Sequence, residues 1–182
     1  MIRLIVFGIL CVLIIYISWR SLFKVKTHGF YRFFAWEGMA WIFAMNYKSW
    51  FINPFTVNQL ISWILLIYSA YLVLAGLYLM LKIGKPNAVR DEKNLFGFEK
   101  TTELIDTGVF KLTRHPLYAS LIFVNWAILL KNPTPILFII ALISTILLYI
   151  TSRYDEKECI NYFGDKYIDY MKRTKMFIPY LF

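Results

Sequence analysis

The sequence predicts an all-α, polytopic membrane protein with about five transmembrane helices. Three observations lead there. Of the 182 residues, 59% are hydrophobic and 19% aromatic, more apolar surface than one soluble domain of this size can bury. The apolar residues are gathered in long runs, and the cleanest, Gln59 to Leu81, holds no charge at all, as a bilayer-crossing helix requires. The cations lie between the runs, so the net charge of +9 reads as membrane topology rather than nucleic-acid binding.

The first run, Leu4 to Trp19, lies between Arg3 and Arg20. No small-residue cleavage site follows it, so it reads as an uncleaved span rather than a signal peptide. A basic loop, Ser21 to Arg32, precedes a second span, Phe33 to Phe51. That span carries Glu37 about one turn inside its near end. A pairing of Glu37 with Arg32 at the interface is the simplest expectation, because intramembrane carboxylates face protein or a cavity. Lys48 and Trp50 suit the far interface. After the Asn53-Pro54 turn comes the third span, Gln59 to Leu81, on which Ser69 and Gly76 allow close helix packing. Residues 1–81 thus form an N-terminal three-span region.

Residues 82–182 form the second part. Lys82 to His115 is too long for a tight connection, and its many apolar residues argue against disorder. Leu117 to Ile150 carries a single charge, Lys131, and Asn132, Pro133 and Pro135 break it into two helices. Arg153 to Lys175 is charged, with Ile160, Phe163, Tyr167 and Tyr170 at helical spacing and Gly164 as a weak point. Five spans put every basic segment on one side. Of the 20 Lys and Arg, only Arg3, Lys48 and Lys131 remain for the other. The basic side is expected to be cytoplasmic, with the N-terminus outside and the C-terminus inside. The two cysteines and two histidines show no metal-site spacing, and no metal is expected.

The chemistry concentrates where the hairpin begins and ends. TGVFKLTRHPLY precedes it, and SRYDEKECINYFGDKYIDYMKRTKMFIP follows it. Pro116 disfavours helix at His115 and suits the first turn of the next helix. Arg114, His115 and Tyr118 then stand at a helix N-terminus, where an anionic group is welcome. A hairpin returns its ends to one side, so these residues are expected near Arg153, Asp155 and Glu156. A mouth with both charges suits a zwitterionic ligand. An ordinary interfacial ion-pair cluster is the plainer reading.

RHPLY, an apolar hairpin, an acidic pair, FGDKYIDYMKR and IP, in that order and spacing, resemble the isoprenylcysteine carboxyl methyltransferase family and the related membrane phospholipid methyltransferases. The likeness covers roughly Glu99 to Pro179, and the N-terminal HGFYRFFAWE stretch is similar to the bacterial branch. The resemblance implies a bacterial inner-membrane enzyme using S-adenosylmethionine as methyl donor, closed over by the C-terminal amphipathic helix. Arg114, His115, Pro116 and Tyr118 would hold its carboxylate, ribose or adenine, and Asp155 and Glu156 its amino or hydroxyl groups. The family pair is usually two glutamates. Asp155 is shorter, and Glu158 shares its role as a candidate.

A lipid-like or lipid-anchored acceptor is expected, arriving between the hairpin and the second span near Glu37. For a carboxylate acceptor, Arg153 would orient it. For an amine, Glu156 or Glu37 would take the proton. The alternatives are a nicotinamide-dependent membrane reductase related to sterol reductases, which share an RHP-type turn, and a non-catalytic scaffold.

Overall fold

A computed structural model describes residues 1–25, 27–87, 89–90 and 95–181. Lys26 and Lys93, counted above among the loop cations, lie outside these. Six α-helices are present among the described residues: α1 (Ile2–Leu22), α2 (His28–Asn46), α3 (Val57–Lys82), α4 (Pro116–Leu130), α5 (Pro135–Phe163) and α6 (Asp165–Arg173). All five expected spans appear as helices. Of these α1, α3 and α5 are long and apolar enough to cross a membrane, whereas α2 has 19 residues and α4 15. α1 packs on α2, α2 on α5, α5 on α4, and α4 on α3. The N-terminal helices therefore flank the α4–α5 hairpin on both sides.

The helix ends follow from the prolines. Pro116 and Pro135 each stand in a first turn, where a missing N–H costs nothing. Thr134 caps α5, its hydroxyl accepting from the Leu137 N–H at 3.3 Å. Ile64, Ile67 and Leu74 on α3 and Ile139, Ile143 and Ile146 on α5 are exposed, forming faces suited to lipid.

Between helices the contacts are small or polar. A Cβ added at Gly38 of α2 would stand 2.3 Å from Ser144 Oγ of α5, so only glycine permits that approach. Ser62 and Ser69 of α3 donate to the Ala127 and Ser120 carbonyls of α4 at 2.7 and 3.0 Å. Asn125 of α4 donates to the Ala141 carbonyl of α5 at 2.8 Å. In an apolar solvent such bonds fix register where hydrophobic burial cannot.

Two expectations change. Arg32 does not pair with Glu37: α2 begins at His28, so both residues lie on one helix five positions apart, on divergent faces. Arg32 instead donates to Glu99, in the long loop. The charged tail is not one helix. α5 runs unbroken through the apolar run to Phe163, carrying Arg153, Asp155 and Glu156 on its last three turns or so. Gly164, at φ 62°, then breaks it, a conformation that costs other residues dearly. The short α6 follows. Beyond it the chain runs back beside the RHP turn: Arg114 N–H donates to the Lys175 carbonyl at 2.8 Å and His115 N–H to that of Met176 at 3.2 Å.

Candidate active site

His115 is the N-cap of α4, with φ −124° and ψ 62°, the non-helical backbone that a following proline favours. Its ring is buried. Nδ1 lies 3.3 Å from Asp155 Oδ2, and Nε2 lies 3.6 Å from Glu156 Oε1. Burial alone would hold the imidazole neutral, but the two carboxylates outweigh it and raise its pKa. Arg114, one residue earlier, donates from Nε to Glu156 Oε1 at 2.8 Å. Its Nη1 donates to the carbonyls of Met171, at 3.3 Å, and of Thr174. The same side chain thus holds Glu156 and clasps the segment Met171–Thr174.

Arg114, His115, Pro116, Tyr118 and Asp155 line one cavity. The hairpin does bring its two ends together, because α5 continues as a rigid rod past the apolar run. Glu156 is 2% exposed and stands behind the wall, accepting also from Arg153 Nη1 at 2.9 Å. Arg153 is half-exposed and faces a separate groove on the outer side of α5. Glu37 does not line the cavity, nor does Glu158.

The cavity draws also on the long loop and on the helical face of the tail, of which only the tail's aromatics were marked by local spacing. Glu99, Arg90 and Cys159 line it, as do Phe163, Tyr167 and Tyr170 from the end of α5 and from α6. Tyr170 is fixed by donating to the Phe110 carbonyl at 2.6 Å. Beneath the cavity His28, fully buried, binds Glu158 through Nδ1 at 2.7 Å and faces Glu99 at 3.8 Å. Burial pulls its imidazole down, yet the Glu158 bond and the Glu99 and Asp155 charges raise it to about 9. Glu99 is held below the usual carboxylate range: its own burial is overcome by Arg32 and His28. His28, Asp155 and Glu158 bring one ligand atom each within 4.8 Å of one another. Within the protein these groups are joined in an ion-pair knot, His28 to Glu158 and Asp155 to His115.

The knot had one visible signal, the HGFYRF stretch itself. Its partners lie 67 and 130 residues away, beyond any local pattern. Chemically, the cavity offers cations for a carboxylate, carboxylates for an ammonium, and aromatic faces for a flat ring.

The fold defines an integral membrane protein, and the cavity between its loop, hairpin and tail carries side chains of both charges. A family model described as phospholipid methyltransferase matches residues 58–166, more than half of the chain, and the chain belongs to that family of membrane methyltransferases. It is similar to methanethiol S-methyltransferase 1 of Bradyrhizobium diazoefficiens, 33% identical over 88 residues covering 48% of this chain and 30% of that protein. It is also similar to a methanethiol S-methyltransferase of Pseudomonas deceptionensis, 33% identical over 95 residues, 52% of this chain and 34% of that one. The chain thus spans about a third of the length of these relatives. No solved structure matches it. The family match bears out the resemblance carried by RHPLY, the hairpin and the acidic pair.

Proposed function

We propose that the protein transfers a methyl group from S-adenosylmethionine to an apolar, lipid-like or lipid-anchored acceptor, from a site in residues 82–182 on the cytoplasmic side of a bacterial inner membrane. The observation that carries this reading is the single cavity shared by the RHPLY turn, Asp155 and the aromatic face of α6. The donor's groups fit the residues present. Arg114 and the imidazolium of His115 suit its carboxylate, Asp155 and Glu99 its ammonium, and Tyr118, Phe163 and Tyr167 its adenosyl part. Pro116 sets the turn. Glu156, hydrogen-bonded to Arg114 and Arg153 and 3.6 Å from His115 Nε2, positions Arg114 and His115.

When bound, the donor supplies a methyl already activated by its sulfonium, so the chain's residues need only orient and exclude water. α6 and the clasp of Arg114 on Met171 and Thr174 close the cavity against water. Release of the clasp lets spent donor leave. Met80 and Leu117 form the cavity's apolar edge. We place acceptor entry there rather than beside Glu37, where the Gly38–Ser144 seam is tight. Arg153 would meet a carboxylate acceptor only by turning from its outer groove. Its hydrogen bond to Glu156 makes it a brace for that carboxylate.

The relatives' names favour a second acceptor, a small thiol. A thiol fits the same apolar edge and must lose one proton, for which a cavity carboxylate, Asp155 or Glu99, is the base available. Turnover of labelled S-adenosylmethionine by membranes, with a lipid extract and separately with methanethiol, distinguishes the two. Label in the organic-soluble lipid fraction supports the first reading, and label only in volatile product replaces it with the second.

A further inference from the structure

A second cleft, made of two hollows that share Tyr149, runs along the α4–α5 hairpin, with Arg114 standing between it and the donor cavity. Its upper part is a groove whose walls carry Arg114, Arg153, Lys172, Arg173 and Lys175, with no carboxylate among its described lining residues. The acids that neutralise some of these cations, Asp106, Asp169 and Glu156, pair with them from other sides. Its lower part presents an apolar surface, lined by Ile122 and Phe123 of α4, Ile146 of α5 and Phe177 and Ile178 of the tail, with the hydroxyl of Thr145 spent on the Ala141 carbonyl. Tyr149 lines both parts.

The two parts follow one face of α5. Ile146, Tyr149 and Arg153 stand three and four positions apart, hence one above another. Over about 10 Å at the helical rise of 1.5 Å per residue, the face passes from hydrocarbon to aromatic ring to guanidinium. That is the order of a membrane boundary: acyl region, interface, charged headgroup. Ile146 and Ile178 are substantially exposed, as are Lys172 and Arg173, so the cleft opens sideways to the bilayer and upwards to the basic side.

We propose that this cleft is a binding site for one anionic phospholipid, its phosphate among Arg153, Lys172 and Lys175 and one acyl chain against Ile122, Ile146 and Ile178. Charge complementarity selects the headgroup, since basic residues at such a surface attract anionic lipid. The apolar floor selects a lipid over a free anion. A lipid seated there lies against Met171–Lys175, the segment that Arg114 clasps over the donor cavity. Arg114 lines both the cleft and the donor cavity, but the lipid site does not depend on the methyl-transfer reading.

The test uses full-length protein in lipid nanodiscs with photoreactive phosphatidylglycerol or phosphatidylcholine, the reactive group placed in the acyl chain. Phosphatidylglycerol is expected to label peptides containing Ile122, Ile146 or Ile178, and the double variant Lys172→Glu/Lys175→Glu to lower that labelling at least about fivefold, the worth of one basic residue near an anionic surface. Both residues are exposed, so the fold should hold; retained S-adenosylhomocysteine binding or an unchanged melting temperature confirms it. A second variant, Ile146→Trp, fills the floor and should block labelling with the cations intact. Equal labelling by phosphatidylcholine overturns the proposal. So does unchanged labelling in the double variant, or loss of labelling in the presence of inorganic phosphate at equal ionic strength.

Discussion

The two ends of the helix bundle bury polar groups in different ways. At the far end Lys131, 5% exposed, is the one buried charge among the described residues. Its ammonium donates to Gln59 Oε1 at 2.9 Å and sits 3.4 Å from the centroid of the Trp63 ring. Asn46 donates nearby to the Ile128 carbonyl at 2.9 Å. Neutral dipoles and a π-face satisfy one cation, and nothing there lines the site cavity. At the other end Arg32, Arg114, His28 and His115 face Glu99, Asp155, Glu156 and Glu158, and part of that set lines a cavity. A lone buried charge held by neutral partners is a staple. A two-signed cluster around open space is expensive unless something uses it, and such clusters mark functional sites.

The comparison can be broken experimentally. The largest effect is expected from Glu156→Ala, which strips Arg114, Arg153 and His115 of a shared partner. It should cost about 3–5 kcal/mol of stability, the scale for breaking a buried pair, and abolish S-adenosylhomocysteine binding. Thermal melts and calorimetry in detergent read both. A variant that melts and binds like wild type would reduce Glu156 to a bystander.

Next comes pH. Folding raises His28 from its ordinary 6.5 to about 9. Its stabilisation is therefore complete below pH 6.5 and is lost as pH rises through 9, by at most about 3 kcal/mol. The melting temperature should fall over that window in wild type and far less in His28→Gln. Equal falls in both would assign the effect to another group.

A smaller effect is expected at the far end. Lys131→Met removes the ring contact and one hydrogen bond, worth about 1–2 kcal/mol together. Melting should drop while S-adenosylhomocysteine affinity stays unchanged. A change in affinity would mean that the two ends are coupled and the contrast is false.

Much of this was legible from residue order alone. The five runs became helices because their length and hydropathy leave a membrane chain few choices. The RHPLY turn and acidic pair were found near each other because a proline-broken hairpin must return. What stayed hidden were contacts of long sequence separation. Nothing local ties His28 to Glu158, or Glu99 to Arg32, and the expected Arg32–Glu37 pair failed once both fell on one helix. Arg153 looked like a neighbour of the mouth, yet the helical phase of α5 turns it to the outer groove while Asp155 faces inward. The double role of the tail, part α5 and part α6, rests on the left-handed backbone at Gly164, which marked a weak point but not its direction.

The two-signed cavity is proposed to hold the methyl donor. Calorimetry of the purified protein with S-adenosylhomocysteine, and separately with NADPH, tests it most directly. Saturable binding of S-adenosylhomocysteine alone, weakened about tenfold or more in His115→Ala for a lost charged hydrogen bond, is the predicted result. Binding of NADPH without S-adenosylhomocysteine, or affinity for S-adenosylhomocysteine untouched in folded His115→Ala, would contradict it.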